Sequence, residues 1–145
     1  MSIEVATADE MFNLGLALSA QLMRGDLILV NGPLGAGKTV LAQGIGKGLG
    51  ITEITSPTFV ISRVHKAALP MIHVDAYRLI DTENPNLYLD DLDLDLENSV
   101  TVIEWGGAES ARLSQDRLEI TIDRSNDIRQ VAINAIGPRW IGFSL

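Results

Sequence analysis

Residues 26–49 read DLILVNGPLGAGKTVLAQGIGKGL. Gly32 is followed by four residues and then by Gly37-Lys38-Thr39, the spacing G-x-x-x-x-G-K-[ST] of a loop that cradles phosphate groups. The residue types account for that chemistry. Gly32, Gly35 and Gly37 open backbone angles closed to other residues and let the chain approach an anion without Cβ obstruction. Backbone N–H groups then converge as an anion-binding nest. A helix starting near Lys38 adds its positive dipole end and unsatisfied amides. Lys38 can reach the β- and γ-phosphates of a nucleoside triphosphate, and the Thr39 hydroxyl can ligate Mg²⁺.

Such a loop only binds. Hydrolysis also needs an acidic group near Mg²⁺, a group that orients water, and a sensor of the γ-phosphate. Asp75 follows the apolar Ile72-His73-Val74, and Glu104 ends the apolar run Val100–Ile103. Ligands of open α/β sheets bind outside the carboxyl ends of the strands, where both acids would stand. A glutamate ending a buried Val-Ile strand has little structural reason to be acidic. The structural alternative for Asp75 is a turn carboxylate paired with Arg78. Thr58, beside Pro57 and just after a loop, is placed to ligate Mg²⁺ or touch the γ-phosphate only when triphosphate is bound. Tyr77 and Trp105 read as packing residues. His65 and His73 alternate with apolar positions and read as satisfied strand histidines rather than bases.

The elements that must position these groups follow from periodicity. Leu27-Ile28-Leu29-Val30 is a buried strand, and Val40, Leu41, Ile45 and Leu49 recur at helical spacing after the loop. This is the strand–loop–helix context a phosphate loop requires. Upstream, residues 2–6 form a short strand. Thr7 and Glu10 fit a capping box, and Met11, Leu14, Leu18 and Leu22 line one helix face ending near Arg24-Gly25. Residues 58–65 and 71–77 alternate around a turn at 67–70 and predict a β-hairpin. Pro85 opens a short helix through Leu89. Asp90 to Glu97 alternates Leu with acid, and that much like charge is poor for a sheet interior. The stretch is an exposed acidic segment, either a solvated face or a docking face for a basic partner. Residues 100–105 make a further buried strand, and a short helical turn is expected from Ala108 to Leu113. Residues 117–123 and 128–136 make a second hairpin, followed by a tail carrying Trp140 and Phe143. No repeat or linker divides the chain, so a single domain over 1–145 is expected.

Composition narrows the functions. A chain of 145 residues, 46% hydrophobic and 21% charged, fits one globular domain with a real core. No apolar run approaches a membrane span. The absence of cysteine excludes disulfides and thiol catalysis and, with only two histidines, argues against a structural zinc site. The start MSIEVATADE lacks the basic and apolar regions of a signal peptide, and a cytoplasmic location is expected. The net charge of −8 argues against autonomous binding to nucleic acid, so any RNA connection should run through a partner protein.

Four pieces in this order match a known family: Gly32–Thr39 (GPLGAGKT), Ser56–Phe59 (SPTF), His73–Leu79 (HVDAYRL) and Ile103–Trp105 (IEW). The chain resembles, over nearly its whole length, the TsaE (YjeE-like) ATPases of tRNA threonylcarbamoyladenosine modification. The resemblance implies an α/β fold of the P-loop NTPase type: a mixed sheet with flanking helices, its parallel core joined by antiparallel hairpin strands. It implies ATP at Gly35, Ala36, Gly37, Lys38, Thr39 and Val40, with Thr39 and Glu104 near Mg²⁺. Asp75 becomes a second acid required for activity, Thr58 part of a switch-like loop, and Trp105 a neighbour of the nucleotide. The adenine end is implied near Thr7–Glu10, with Glu10 a nucleotide contact, and near the C-terminal strands. The implied partners are TsaD, which transfers the threonylcarbamoyl group, and TsaB, its companion; tRNA is engaged only through them.

Two other readings carry weight beside an ATPase that drives a modifying complex. A small-molecule kinase needs a lid with arginines, and Arg112, Arg117 and Arg124 show no lid pattern. A non-catalytic adaptor would dock on binding ATP, its hydrolysis incidental. A GTPase is disfavoured, because no N-K-x-D motif occurs and Asp75 does not begin a D-x-x-G.

Overall fold

An uninterrupted apolar run needs cover on both faces, which a central parallel strand receives. Leu27 to Val30 is such a strand, each residue no more than 2% exposed. The computed structural model describes residues 1–51, 62–75, 95–104 and 113–145 of the chain. Its elements are β1 (Ser2–Val5), α1 (Ala8–Ser19), β2 (Leu27–Asn31), α2 (Lys38–Gly48), β3 (Ser62–His65), β4 (Met71–Asp75), β5 (Val100–Glu104), β6 (Arg117–Asp123) and β7 (Arg129–Ile136). Short 3-10 turns cover Leu96–Asn98 and Pro138–Trp140.

The strands form one seven-stranded sheet in the order β1-β7-β6-β2-β5-β4-β3. β6, β2, β5 and β4 run parallel to one another. Antiparallel pairing of β3 with β4, β6 with β7 and β1 with β7 completes the sheet. Both expected hairpins are present, and the mixed α/β architecture is the one anticipated. The register sets Asp75 and Val30 opposite Glu104 on either side of β5, so two carboxylates sit side by side where the parallel strands end. The expected helices at 85–89 and 108–113, and residues 90–94 of the acidic stretch, lie outside the described residues. Asp95 is exposed and accepts from the Asn98 side chain at 3.0 Å.

Ile28, Val30, Val102, Leu118 and Ile120 share a buried cluster with Met11, Leu14 and Leu18 of α1 and Leu41 and Ile45 of α2. The start of α1 is capped as expected: the Glu10 N–H donates to Thr7 Oγ1 at 3.1 Å, and Glu10 Oε2 accepts from the Ala6 N–H at 2.6 Å. The helix stops at Ser19, well before the expected Arg24-Gly25. A buried carboxylate is the reason. Asp26 accepts from the Met23 N–H at 2.8 Å and from the Arg139 guanidinium at 3.0 Å to each oxygen, drawing residues 20–26 into turns. Arg139 also lies over the Trp140 ring, 4.1 Å from its centroid, and so fixes the C-terminal tail.

The helices touch backbone to backbone. A Cβ added at Gly44 would stand 2.1 Å from the Phe12 carbonyl oxygen, and one at Gly15 would stand 2.4 Å from that of Leu41. Gly44→Ala is therefore expected to destabilise the fold by about 1–3 kcal/mol, the usual cost of overpacking. Alanine favours a helix interior by about 1 kcal/mol over glycine, so a net loss isolates the steric effect. Urea unfolding measures it; an unchanged or higher midpoint would show that the helices can separate freely.

Candidate functional site

The loop after β2 closes through two residues with left-handed backbone. Gly35 has φ +73° and Gly37, the residue before α2, has φ +112°. Side-chain-bearing residues rarely adopt these angles. Ala36 N–H donates to the Pro33 carbonyl at 3.1 Å, and α2 begins with Leu41 N–H to the Gly37 carbonyl at 2.9 Å. The first-turn amides of α2 have no acceptor within the helix, as at any helix start.

Lys38, Thr39 and Val40 open α2 and, with Gly35, Gly37 and Leu34, line a cavity of about 300 Å³ whose far wall is Asp75 and Glu104. Lys38 is buried, and its Nζ donates to the carbonyls of Gly32 at 2.8 Å and Pro33 at 2.9 Å. Burial pushes its pKa down, opposed by the negative charges of Glu104 and Asp75. Thr39 Oγ1 lies 3.4 Å from Glu104 Oε1. The other carboxylate oxygen, Oε2, is 2.5 Å from His73 Nε2, and both side chains are buried.

These donors suit a hard cation. Mg²⁺ takes oxygen ligands and usually keeps waters, using one or two carboxylates plus substrate phosphates instead of an all-protein cage. Among the described residues no cluster of three or more acidic, His or Cys side chains forms such a cage. A hydroxyl beside one buried carboxylate, with a second carboxylate across the register, fits Mg²⁺ held jointly with a nucleotide.

A smaller cavity, about 130 Å³, lies against the same loop and shares Gly35, Gly37 and Val40 with the first. Its remaining wall is Ala36, Thr7, Ala8 and Met11 with Arg129. Arg129 Nη2 donates to the Gly35 carbonyl at 3.1 Å, and Arg124 Nη1 to that of Leu34 at 2.5 Å. The β6–β7 hairpin thus grips the loop from outside. Its turn is set by Asp123, whose carboxylate accepts from the Ser125 N–H at 2.8 Å and is held below the usual carboxylate range by that bond.

The family model for the threonylcarbamoyl adenosine biosynthesis protein TsaE matches residues 5–131, a span that holds both cavities' described walls. The chain belongs to the TsaE family. A protein of Streptomyces coelicolor named tRNA threonylcarbamoyladenosine biosynthesis protein TsaE is 45% identical, over 90% of this chain and 93% of its own. The Bacillus subtilis protein of the same name is 40% identical, over 80% of this chain and 73% of its own. The crystal structure of YdiB from Bacillus subtilis superposes with a TM-score of 0.78 at 29% identity, covering 97% of this chain and 88% of that one.

Within this TsaE-family fold, Gly35, Gly37, Lys38, Thr39, Val40, Asp75 and Glu104 come together around one cavity, and Ala36 faces the second. Glu10 stands in the first turn of α1, where its carboxylate caps the Ala6 N–H; its neighbours Thr7, Ala8 and Met11 line the smaller cavity. Thr58 and Trp105 lie outside the described residues. Two polar contacts at the site were not anticipated from sequence. His73, read as a satisfied strand histidine, puts Nε2 on Glu104, and its Nδ1 has no partner among the described residues. The signal was available: His73 is two residues from Asp75, hence on the same face of β4. Arg129 carries no local signal, because it reaches a loop far away in sequence.

Proposed function

We propose that the chain is a Mg²⁺-dependent ATPase that acts with TsaD and TsaB in forming threonylcarbamoyladenosine in tRNA. The observation that carries the reading is the phosphate loop facing the Thr39–Glu104 pair, at the carboxyl ends of parallel strands, in a TsaE-family chain. The loop amides and the start of α2 bind the phosphates, and the Lys38 ammonium leaves two carbonyls of its own loop for phosphate oxygens. Thr39 and Glu104 hold Mg²⁺, which when bound neutralises charge developing on the phosphates. A water oxygen bonds to the γ-phosphorus as the bond to the β–γ bridging oxygen breaks, releasing ADP and phosphate. Asp75, on the same cavity wall, is the carboxylate we assign to orienting that water and accepting its proton, which passes on to the released phosphate. Thr58 is assigned to sensing the γ-phosphate and Trp105 to the nucleotide's border. The smaller cavity takes the nucleoside end, with Glu10 at its edge. We place the protein in the cytoplasm as one domain; none of the described helices is long and apolar enough to cross a membrane.

The net charge of −8 supports a protein partner over direct RNA contact. An affinity-tagged chain should therefore retain purified TsaD and TsaB in an ATP-dependent way and retain no tRNA without them. Retention of tRNA by the chain alone, or no retention of TsaD–TsaB with any nucleotide, would overturn the assignment of partners.

A further inference from the structure

We propose that His73 is a positioning residue that fixes the Glu104 carboxylate for the metal ion; the inference rests on the assignment of Glu104 to Mg²⁺. Glu104 is 5% exposed, and a carboxylate so far from water needs hydrogen-bond donors. Its two described side-chain contacts are unequal. The His73 ring stands 2.5 Å from Oε2, whereas the Thr39 hydroxyl stands 3.4 Å from Oε1. The carboxylate is therefore anchored from the sheet, not from the helix.

The anchor is stiff. His73 has two side-chain torsions and is 0% exposed, and its backbone lies between β5, opposite Val102, and β3, opposite Arg63. With its proton on Nε2 the ring donates to Glu104 and leaves a bare lone pair at Nδ1, in keeping with the absence of a described partner there. With Oε2 occupied by the ring, Oε1 is the oxygen turned to Thr39 and the cavity. A terminal carboxylate torsion is otherwise broad, and the ring on Oε2 holds it in the one orientation that sets Oε1 toward Thr39. Partners that orient metal ligands in this way typically govern affinity for the ion.

The test is Mn²⁺ binding, followed by electron paramagnetic resonance with the non-hydrolysable ATP analogue AMP-PNP saturating, beside calorimetry of AMP-PNP in EDTA. His73→Leu should weaken Mn²⁺ binding about 10- to 100-fold, the usual effect of removing such a partner. AMP-PNP affinity in EDTA should stay within about twofold, since phosphate binding by the loop does not involve His73. His73→Gln, whose amide can reach the same carboxylate oxygen, should recover most of the loss. His73→Asn keeps an amide one bond too short, so it should behave as His73→Leu and serves where that variant does not fold. Wild-type Mn²⁺ affinity in His73→Leu or His73→Asn would overturn the proposal, as would an equal loss of metal-free AMP-PNP affinity. Glu104→Gln separates the two claims. If it binds Mn²⁺ as the wild type does, the assignment of Glu104 fails and that of His73 with it. If Glu104→Gln loses Mn²⁺ and the His73 variants do not, positioning by His73 alone is wrong.

Discussion

Lys38→Ala is expected to lower ATP affinity by at least about 100-fold, because two or more charge-assisted hydrogen bonds of roughly 1.5–3 kcal/mol each are lost. The setting makes the lysine hard to replace. Asp75 and Glu104 line the same cavity, so removing the ammonium leaves two carboxylates facing an anionic ligand. Like charges lining one cavity repel strongly where water is scarce. The loop itself holds the cation in place through the carbonyls of Gly32 and Pro33. Burial lowers the pKa of the amine and the two acids oppose that shift; a phosphate would join them as a third anionic partner. Isothermal calorimetry with ATP and Mg²⁺ measures the effect. Unchanged affinity would mean that the loop does not bind phosphate through Lys38.

Glu104→Ala should divide binding from chemistry. Nucleotide binding through the loop amides and Lys38 should persist, while ATP turnover should fall on the order of 100- to 1000-fold, the usual loss when one group that stabilises transition-state charge is removed. The loss belongs in kcat more than in KM, since the interaction strengthens as charge moves onto the leaving ADP. The variant also strips the His73 Nε2–H of its acceptor, and a buried orphan donor costs about 1–3 kcal/mol. A lower Tm should therefore accompany the kinetic defect, and Glu104→Gln, which keeps an acceptor oxygen, should show the kinetic defect with a smaller drop in Tm. Turnover of Glu104→Ala within a few-fold of the wild type would remove Glu104 from the reaction.

The parts legible in the sequence are those set by near neighbours. The loop from Gly32 to Thr39 is a local motif whose strand and helix flank it directly. The capping box of Thr7 and Glu10 spans one helical turn, and each hairpin is an alternating pair of runs around a turn. Asp75 and Glu104 could be singled out because each ends an apolar run, and parallel strands bring such ends to one edge. Contacts that depend on distant partners were not legible. Nothing near Ser19 marks the end of α1; Asp26 and Arg139 set it, and they meet only when the tail folds back. Gly15 and Gly44 carry no local signal of the crossing at which the two helices meet. His73 looked like one more strand histidine, because its partner Glu104 lies on the next strand of the sheet, 31 residues on. The placement of β6 beside β2 likewise follows from sheet order, which periodicity does not encode.

The central claim, that ATP hydrolysis at this loop sustains a tRNA-modifying complex, is tested most directly by multiple-turnover formation of threonylcarbamoyladenosine with purified TsaD, TsaB and tRNA. The wild-type chain with ATP and Mg²⁺ should support repeated rounds, and Glu104→Ala, with ATP still bound, should not. Full multiple-turnover modification by Glu104→Ala would contradict the account and leave ATP binding alone as the protein's contribution.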